Sequence, residues 1–292
     1  MNEKIQIKDY YDFFPPNLNR TGDIWRGLPN LGILNKENLF GLVVTPACDL
    51  AQRKTETLTY LPIITIQEYL CSPSFYIEIW QDFFILLTKL KLADQVNAPS
   101  RYELPLITEI SEIAKITEEM KAKDSTKISS YKRVVSYVKY ISQLSSGLLL
   151  SADEVGQIFS PGSFEKITKK IVTNAFRVDL HFLPFDQKPE FSSAIPKHSV
   201  VLFRYAISIP IEIVNEAQLS DEIDWTTRLL KLKRDFSAAN LLTNMPIRLA
   251  TLKDDFLSDL LSRYVSMQIR LGSRDFTDET IDQYALEVKD SK

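Results

Sequence analysis

FGLVVTPACDLAQRKTETLTYLPIITI, residues 40–66, predicts two adjacent strands and the loop between them. The first half is a dense apolar run that Pro46 ends. The second half, residues 56–66, is rich in β-branched side chains and alternates in polarity, which is typical of a half-buried strand. Polar residues 52–54 supply the turn between the two runs. Residues 22–28 predict one more strand, so the chain opens with a sheet.

Beyond this stretch the apolar period changes from two residues to that of a helix. Apolar side chains then recur three and four positions apart, which predicts amphipathic helices. These predicted helices occupy residues 76–90, 107–120 and 131–141. Ser151 and Glu154 are spaced as a capping box, and Ser163 is expected to cap the next helix. Residues 67–174 are therefore predicted to be a helical insertion.

Strands return after the helices. Two further runs, 176–183 and 199–209, have strand character and each is closed by a proline. The remainder is predicted to be helical, over 224–242 and 252–271, and Thr251 with Asp254 is spaced as a capping box.

The order of strands, helices and strands predicts an α+β fold in which one sheet or barrel is split by an insertion. An insertion of about 110 residues is too long for a loop but suits a small helical subdomain. We therefore expect residues 1–66 to form the first half of a β-barrel and 67–174 the helical insertion. Residues 175–292 would form the second half of the barrel and the C-terminal helices.

The composition excludes several classes of protein. The chain has 292 residues, 35 Lys and Arg against 38 Asp and Glu, a net charge of −3 and 45% hydrophobic residues. It can therefore bury a large core, and its charge balance does not favour nucleic-acid binding over the whole surface. Only 8 glycines are present, and no glycine-rich phosphate-binding pattern occurs.

The cysteine and histidine content predicts neither a metal site nor a cofactor. Cys48 and Cys71 are the only cysteines, His181 and His198 are the only histidines, and none has the spacing of zinc ligands. The N-terminus has no apolar secretory leader, and charged residues interrupt the most apolar stretch. We therefore expect a cytoplasmic protein with no membrane partner.

Four stretches resemble the MazF/PemK-type toxins. They are GDIW at 22–25, FGLVVTP at 40–46, LTYLPIITI at 58–66 and SVVLFRYAISIP at 199–210. The resemblance implies a small SH3-like, PemK-like β-barrel and a homodimer. It also implies a bacterial toxin or phage-defence protein that binds RNA, with endoribonuclease activity that needs no metal. The sequence differs from the family where the catalytic arginine precedes the second strand, because only Lys36 is available there.

The candidate site follows the first strand of the opening stretch. Asp49 would accept the proton of a ribose hydroxyl, and the cations of Arg53 and Lys54 would bind phosphate. Thr65 corresponds to the threonine of the family's third-strand turn. The predicted catalytic residues are Asp49, Arg53 and Thr65, and the predicted substrate-binding residues are Lys36, Thr45, Cys48 and Lys54.

Other roles for the same residues stay open. Cys48 would be a small buried hydrophobe and Asp49 the cap of a short helix if the loop is purely structural. A nucleophilic Cys48 paired with His181 or His198 would instead indicate a hydrolase or transferase.

The rest of the chain offers two further surfaces. Basic residues at 115–139 and 228–274, the first interleaved with tyrosines, suit single-stranded nucleic acid or a solvated helix face. An apolar helix face, formed by Trp80, Phe83, Phe84 and Leu87, is either the core of the insertion or a docking surface. The alternative function is thus a non-catalytic adaptor of a bacterial defence or stress complex, which binds a protein partner through the helical insertion.

Overall fold

The protein is described by a computed structural model. The structure describes residues 10–12, 18–29, 38–96, 103–123, 127–185, 195–269, 277–280 and 282–283. The strands are β1 (Tyr11–Asp12), β2 (Asp23–Pro29), β3 (Asn38–Val43), β4 (Thr57–Thr65), β5 (Leu180–Leu183), β6 (Ser199–Leu202), β7 (Ile207–Pro210) and β8 (Ile247–Leu252). The helices are α1 (Ala47–Ala51), α2 (Ile66–Leu70), α3 (Pro73–Lys89), α4 (Ile107–Lys123), α5 (Ile128–Ser146), α6 (Ala152–Gly156), α7 (Ser163–Val172), α8 (Ile211–Leu219), α9 (Glu222–Asp235) and α10 (Asp254–Gln268).

The eight strands form one antiparallel sheet in the order β1-β8-β2-β3-β4-β6-β5, with β7 also paired to β4. The mixed α+β class predicted from the sequence is confirmed. The sheet is not closed, however, because β1 and β5 lie at opposite ends of the strand order and do not pair. The closed barrel is therefore wrong for the part of the chain that the structure describes.

The two ends of the sheet nevertheless approach each other. The hydroxyl of Tyr11 in β1 donates a hydrogen bond of 2.8 Å to the carbonyl of Pro184, which directly follows β5. A backbone ladder does not continue there, since β1 has only two residues and a proline offers no N–H. The two edge strands are thus connected by the Tyr11 side chain, whereas in a closed barrel they would be connected by backbone hydrogen bonds.

The strand β4 organises the sheet. One side of it pairs with β3, and the other side pairs with β6 through 63–65 and with β7 through 57–60. A 3₁₀ turn, Phe203–Tyr205, separates β6 from β7. The single strand predicted over 199–209 is therefore two strands, which lie end to end along β4.

Side chains alternate between the two faces of the sheet along each strand, and a hydrophobic core covers each face. On one face Leu61 and Ile63 belong to a core that α10 covers through Leu257 and Leu260. On the other face Tyr60 packs with a core formed by α8, α9 and their neighbours. Ile64 of the same strand packs instead with the helices that follow β4.

The described elements between β4 and β5 are all helical, and they form a continuous core with the sheet. The capping box predicted at Ser151 and Glu154 is confirmed. Ser163 is not the cap expected, because the N-cap position of α7 is Gly162. Gly147 ends α5 in the left-handed conformation that glycine adopts without strain. The domain boundaries at 66 and 174 stay a prediction.

The two helices predicted in the C-terminal part are found as α9 and α10, whereas α8 and β8 were not predicted. Residues 247–252 form β8, which lies between β1 and β2. Thr251 belongs to this strand and donates its hydroxyl to Asp23 at 2.6 Å, so the capping box predicted with Asp254 is wrong. Pairing with β2 thus places Thr251 in a strand rather than at the start of a helix. Within the described ranges no helix is long and apolar enough to cross a membrane.

Candidate functional site: the cleft beside Arg53

The loop after β3 is fixed to β4 by Thr45. Its Oγ1 accepts a hydrogen bond of 2.7 Å from the backbone N–H of Thr59, and its carbonyl accepts one from the hydroxyl of Thr21 at 2.5 Å. The Thr45 side chain is buried. It therefore anchors the start of the loop, and the short helix α1 begins directly after Pro46.

Arg53 stands where α1 ends. Its φ of 52° lies in the left-handed region, which costs a residue other than glycine about 1 kcal/mol. The backbone N–H of Lys54 donates to the carbonyl of Asp49 at 2.9 Å, a hydrogen bond that closes the helix. Strained residues of this kind are frequent at functional sites.

The Arg53 side chain lines a cleft of about 500 Å³ between this loop and α8. The cleft has the volume of a small-molecule or nucleotide site. Its walls combine apolar, amide and charged side chains. The lining residues are Leu18, Asn19, Leu50, Arg53, Thr55, Glu56, Ile211, Glu212, Asn215, Gln218 and Leu219.

Three amide side chains form a hydrogen-bonded row in one wall of the cleft. Asn19 donates to Asn215 at 3.0 Å, and Gln218 donates to Asn19 at 2.7 Å. This row holds the segment before β2 against α8. Amides can both donate and accept hydrogen bonds, so such a wall can recognise the polar edge of a nucleobase.

One cation and two carboxylates share the cleft. Glu56 and Glu212 come together because the N–H of Ile211 donates to the carbonyl of Glu56 at 3.1 Å. Among the residues that the structure describes, no ion pair holds Arg53 or either carboxylate. All three side chains are exposed, so they are available to a ligand.

A buried ionic cluster is connected to the cleft through Leu18, which is one of the lining residues. Asp23 is fully buried and accepts hydrogen bonds from the Arg20 N–H at 2.7 Å, the Thr251 hydroxyl at 2.6 Å and Arg248 at 3.2 Å. Arg248 also donates to the carbonyl of Leu18 at 2.7 Å. Burial raises the pKa of Asp23, although its partners favour the ionised form.

The predicted loop residues do not all meet at the cleft. Arg53 lines it, whereas the half-buried Asp49 and the exposed Lys54 are not among its described lining residues. Cys48 is exposed rather than buried, and its thiol lies 3.5 Å from the Asp49 carboxylate. Asp49 lies inside α1 and does not cap it, since the N-cap position is Pro46.

Thr65 lies far from the cleft, at the other end of β4. Thr45 is bonded to Thr59, and a further six residues of strand, about 20 Å, separate Thr59 from Thr65. Its hydroxyl accepts from the N–H of Glu68, and the Glu68 carboxylate accepts from the Thr65 N–H, so this threonine caps α2. Lys36 is outside the described residues.

Neither histidine approaches Cys48. His181 is buried in β5 beside Phe203, and burial lowers its pKa to about 4. His198 precedes β6, and its Nδ1 accepts from the N–H of Phe185 at 2.9 Å. Both lie along the half of the sheet near Thr65, so the structure does not form a Cys–His pair.

The basic and aromatic stretches are only partly surface features. Tyr131, Tyr137 and Tyr140 are buried, which confirms the interpretation of α5 as a solvated helix face with tyrosines turned inward. Phe83 is buried in the core of the helices, and Trp80 packs partly against that core. The predicted apolar face is therefore mostly core.

The sequence missed the α8 side of the cleft. Glu212, Asn215 and Leu219 follow Pro210 at spacings of three and four, which places them on one face of a helix. That periodicity was a usable signal. Their proximity to Glu56 depends on the pairing of β7 with β4 and has no local signature.

Comparison of the chain with known proteins identifies no relative. No protein-family model, curated protein or solved structure matches the chain. Within the described ranges, no cluster of histidine, cysteine and acidic side chains suits a metal ion. The functional argument therefore depends on the geometry of the cleft.

Proposed function

We propose that this chain is a MazF/PemK-like protein that binds and cleaves RNA in the Arg53 cleft. The observation that carries the proposal is the grouping of Arg53 with Glu56 and Glu212, none of them held in an ion pair within the described part of the chain. An unpaired guanidinium on a cleft wall binds phosphate oxygens in a bidentate manner. The adjacent amide row supplies donors and acceptors for a base.

These side chains suffice for RNA cleavage by the chemistry expected from the sequence. A carboxylate, Glu56 or Glu212, would take the proton of the ribose 2′-hydroxyl as its oxygen attacks phosphorus. The bond from phosphorus to the 5′-oxygen then breaks to leave a 2′,3′-cyclic phosphate, the 5′-oxygen takes up the proton that the carboxylate had accepted, and Arg53 would stabilise the charge that develops on the phosphate oxygens. In this proposal a glutamate replaces Asp49 as the proton acceptor, because Asp49 is not among the described lining residues.

The strand order supports the proposed resemblance without closing a barrel. The stretches that resemble the toxins form β2, β3 and β4, which are consecutive neighbours, and the pair β6 and β7 along β4. We propose that this sheet is an opened SH3-like, PemK-like barrel. A toxin or phage-defence role in the bacterial cytoplasm, and a homodimer, belong to the same proposal.

RNA cleavage and binding test the proposal directly. Purified protein is incubated with labelled RNA, and total RNA is followed after expression in a bacterial host. We expect Arg53→Ala to weaken RNA binding at least about tenfold, since charge-assisted hydrogen bonds to phosphate are lost. Glu56→Gln and Glu212→Gln should lower cleavage more than binding.

The matched control is Lys54→Ala, which removes the adjacent exposed cation outside the cleft. Asp49→Ala is the second control and should leave cleavage intact. Equal losses in Arg53→Ala and Lys54→Ala would contradict a specific role for the cleft. Intact RNA with the wild-type protein would rule out cleavage.

A second candidate function is a non-catalytic adaptor, and an exposed apolar cluster favours it. Helices α4 and α5 contact each other across a short connection, so they are antiparallel. The start of α4 thus lies near the end of α5. Four side chains there are at least half exposed: Leu106, Ile107, Leu148 and Leu149.

This cluster would bind a protein partner through the helical insertion. The test is a Leu148→Ser, Leu149→Ser variant purified from its native host beside the wild type. The adaptor function predicts that a stoichiometric partner is lost in the variant while the fold is retained. A wild-type protein that purifies without a partner would contradict it.

A further inference from the structure

Two further cavities lie at the edge of the sheet, and they share no described lining residue with the Arg53 cleft. One has a volume of about 330 Å³ and the other about 240 Å³. They share Val178 and Met267, so they form one groove between the approach to β5, the 3₁₀ turn and α10. The lining residues are Val178, Arg204, Ser262, Arg263, Ser266, Met267 and Gln268.

The charged side chains that line this groove are both arginines. Arg204 is held by the hydrogen bond of its Nε to Asp179 at 2.6 Å, yet its side chain is 64% exposed. Its two terminal nitrogens therefore remain available to a ligand. No carboxylate belongs to the described lining of the groove. Two guanidinium groups without a lining acid favour an anionic ligand.

Arg263 is also held in place. Its Nη2 donates to the backbone carbonyl of Asn174, whose own side chain accepts from the N–H of Phe182 at 2.6 Å. The Nε of Arg263 is buried and has no hydrogen-bond partner within the described residues. That buried atom is out of reach of a ligand in the groove, so an anion there would be bound by the terminal nitrogens of the Arg263 guanidinium.

The remaining walls suit a flat apolar group beside the anion. Val178 is 45% exposed, and Met267 borders both cavities. Gln268 adds an amide, and Ser262 adds an exposed hydroxyl. The larger cavity reaches the size, ~300 Å³, at which small-molecule sites begin.

We propose that this groove binds a nucleoside phosphate. Arg204 and Arg263 hold the phosphate, and the base lies between Val178 and Met267 with Gln268 at its polar edge. The site is separate from the proposed RNA site, because the two share no described lining residue.

Calorimetric titration with ADP at low salt tests the proposal. Inorganic phosphate and adenosine are titrated separately, and ADP should bind more tightly than either because both halves of the groove are used. Arg263→Gln and Arg204→Gln should each weaken ADP binding about tenfold or more. Ser262→Glu tests the same site without removing an internal contact, since it adds a carboxylate at an exposed position beside Arg263.

The control variant is Lys54→Ala, which removes an exposed cation outside the described lining of both the groove and the Arg53 cleft and should leave ADP affinity unchanged. A loss of ADP binding in Arg53→Ala would assign the nucleotide to the other cleft and overturn the proposal. ADP binding that matches that of inorganic phosphate would overturn it as well. So would an absence of ADP binding, or unchanged affinity in both Arg263→Gln and Ser262→Glu.

Discussion

The buried carboxylate of Asp23 should be a principal support of the Arg53 cleft. Asp23→Ala removes three hydrogen bonds, from Arg20, Thr251 and Arg248. It also leaves the Arg248 cation in an almost fully buried position without its carboxylate, since that side chain is 9% exposed. Breaking a buried ion pair in this way costs about 3–5 kcal/mol of unfolding free energy.

Asp23→Asn should have an intermediate effect. The oxygen that faces Arg20 and Arg248 accepts from both, whereas an amide nitrogen there would be a third donor. We expect a loss of about 2 kcal/mol, because one oxygen acceptor is retained. The measurement is urea unfolding at neutral pH for the wild type and both variants, followed by far-UV circular dichroism.

The control is Asp82→Ala, which removes an exposed carboxylate from α3. It should change the unfolding free energy by less than about 0.5 kcal/mol. The reasoning would be refuted by an Asp23→Ala variant within about 1 kcal/mol of the wild type, or by equal losses in Asp23→Ala and Asp82→Ala. Because Arg248 also holds the carbonyl of Leu18, Asp23→Ala should weaken RNA binding in the cleft as well.

Two further predictions concern residues outside the cleft. Thr65→Ala should cost about 1 kcal/mol in urea unfolding, through loss of the α2 cap, while RNA cleavage is unchanged; loss of cleavage at full stability would restore Thr65 to the site. Burial lowers the pKa of His181 to about 4, below its ordinary 6.5, so the unfolded chain binds the proton more readily. The wild type should therefore lose up to about 3 kcal/mol of stability as pH falls from 6.5 to 4. His181→Phe should show a weaker dependence, and parallel pH profiles for the two proteins would contradict the assignment.

The Arg53 site shows where sequence reasoning succeeds. The sequence predicts a candidate site with charged residues directly after β3, and Arg53 does line a cleft there. The other half of the cleft, Glu212 with its neighbours, lies far along the chain. No local pattern brings α8 to that loop, because the approach depends on β7 pairing with the first half of β4.

Local chemistry and chain order determined the secondary structure. Alternation in 56–66 and the helical period in 76–90 depend only on neighbouring side chains, which is why β4 and α3 are found there. The same local rules failed at Thr251. Its hydroxyl donates a hydrogen bond to the buried carboxylate of Asp23 on another strand instead of capping the helix that follows.

What the sequence by itself determined is the mixed α+β class and the chain order of strands, helices and strands. Only the tertiary structure decided that the sheet stays open, that Thr65 caps a helix and that Arg53 lines the same cleft as Glu56 and Glu212. The physical reason is range. Propensity and amphipathic period act over a few residues, whereas sheet closure and side-chain convergence depend on pairings between segments that are remote in the chain.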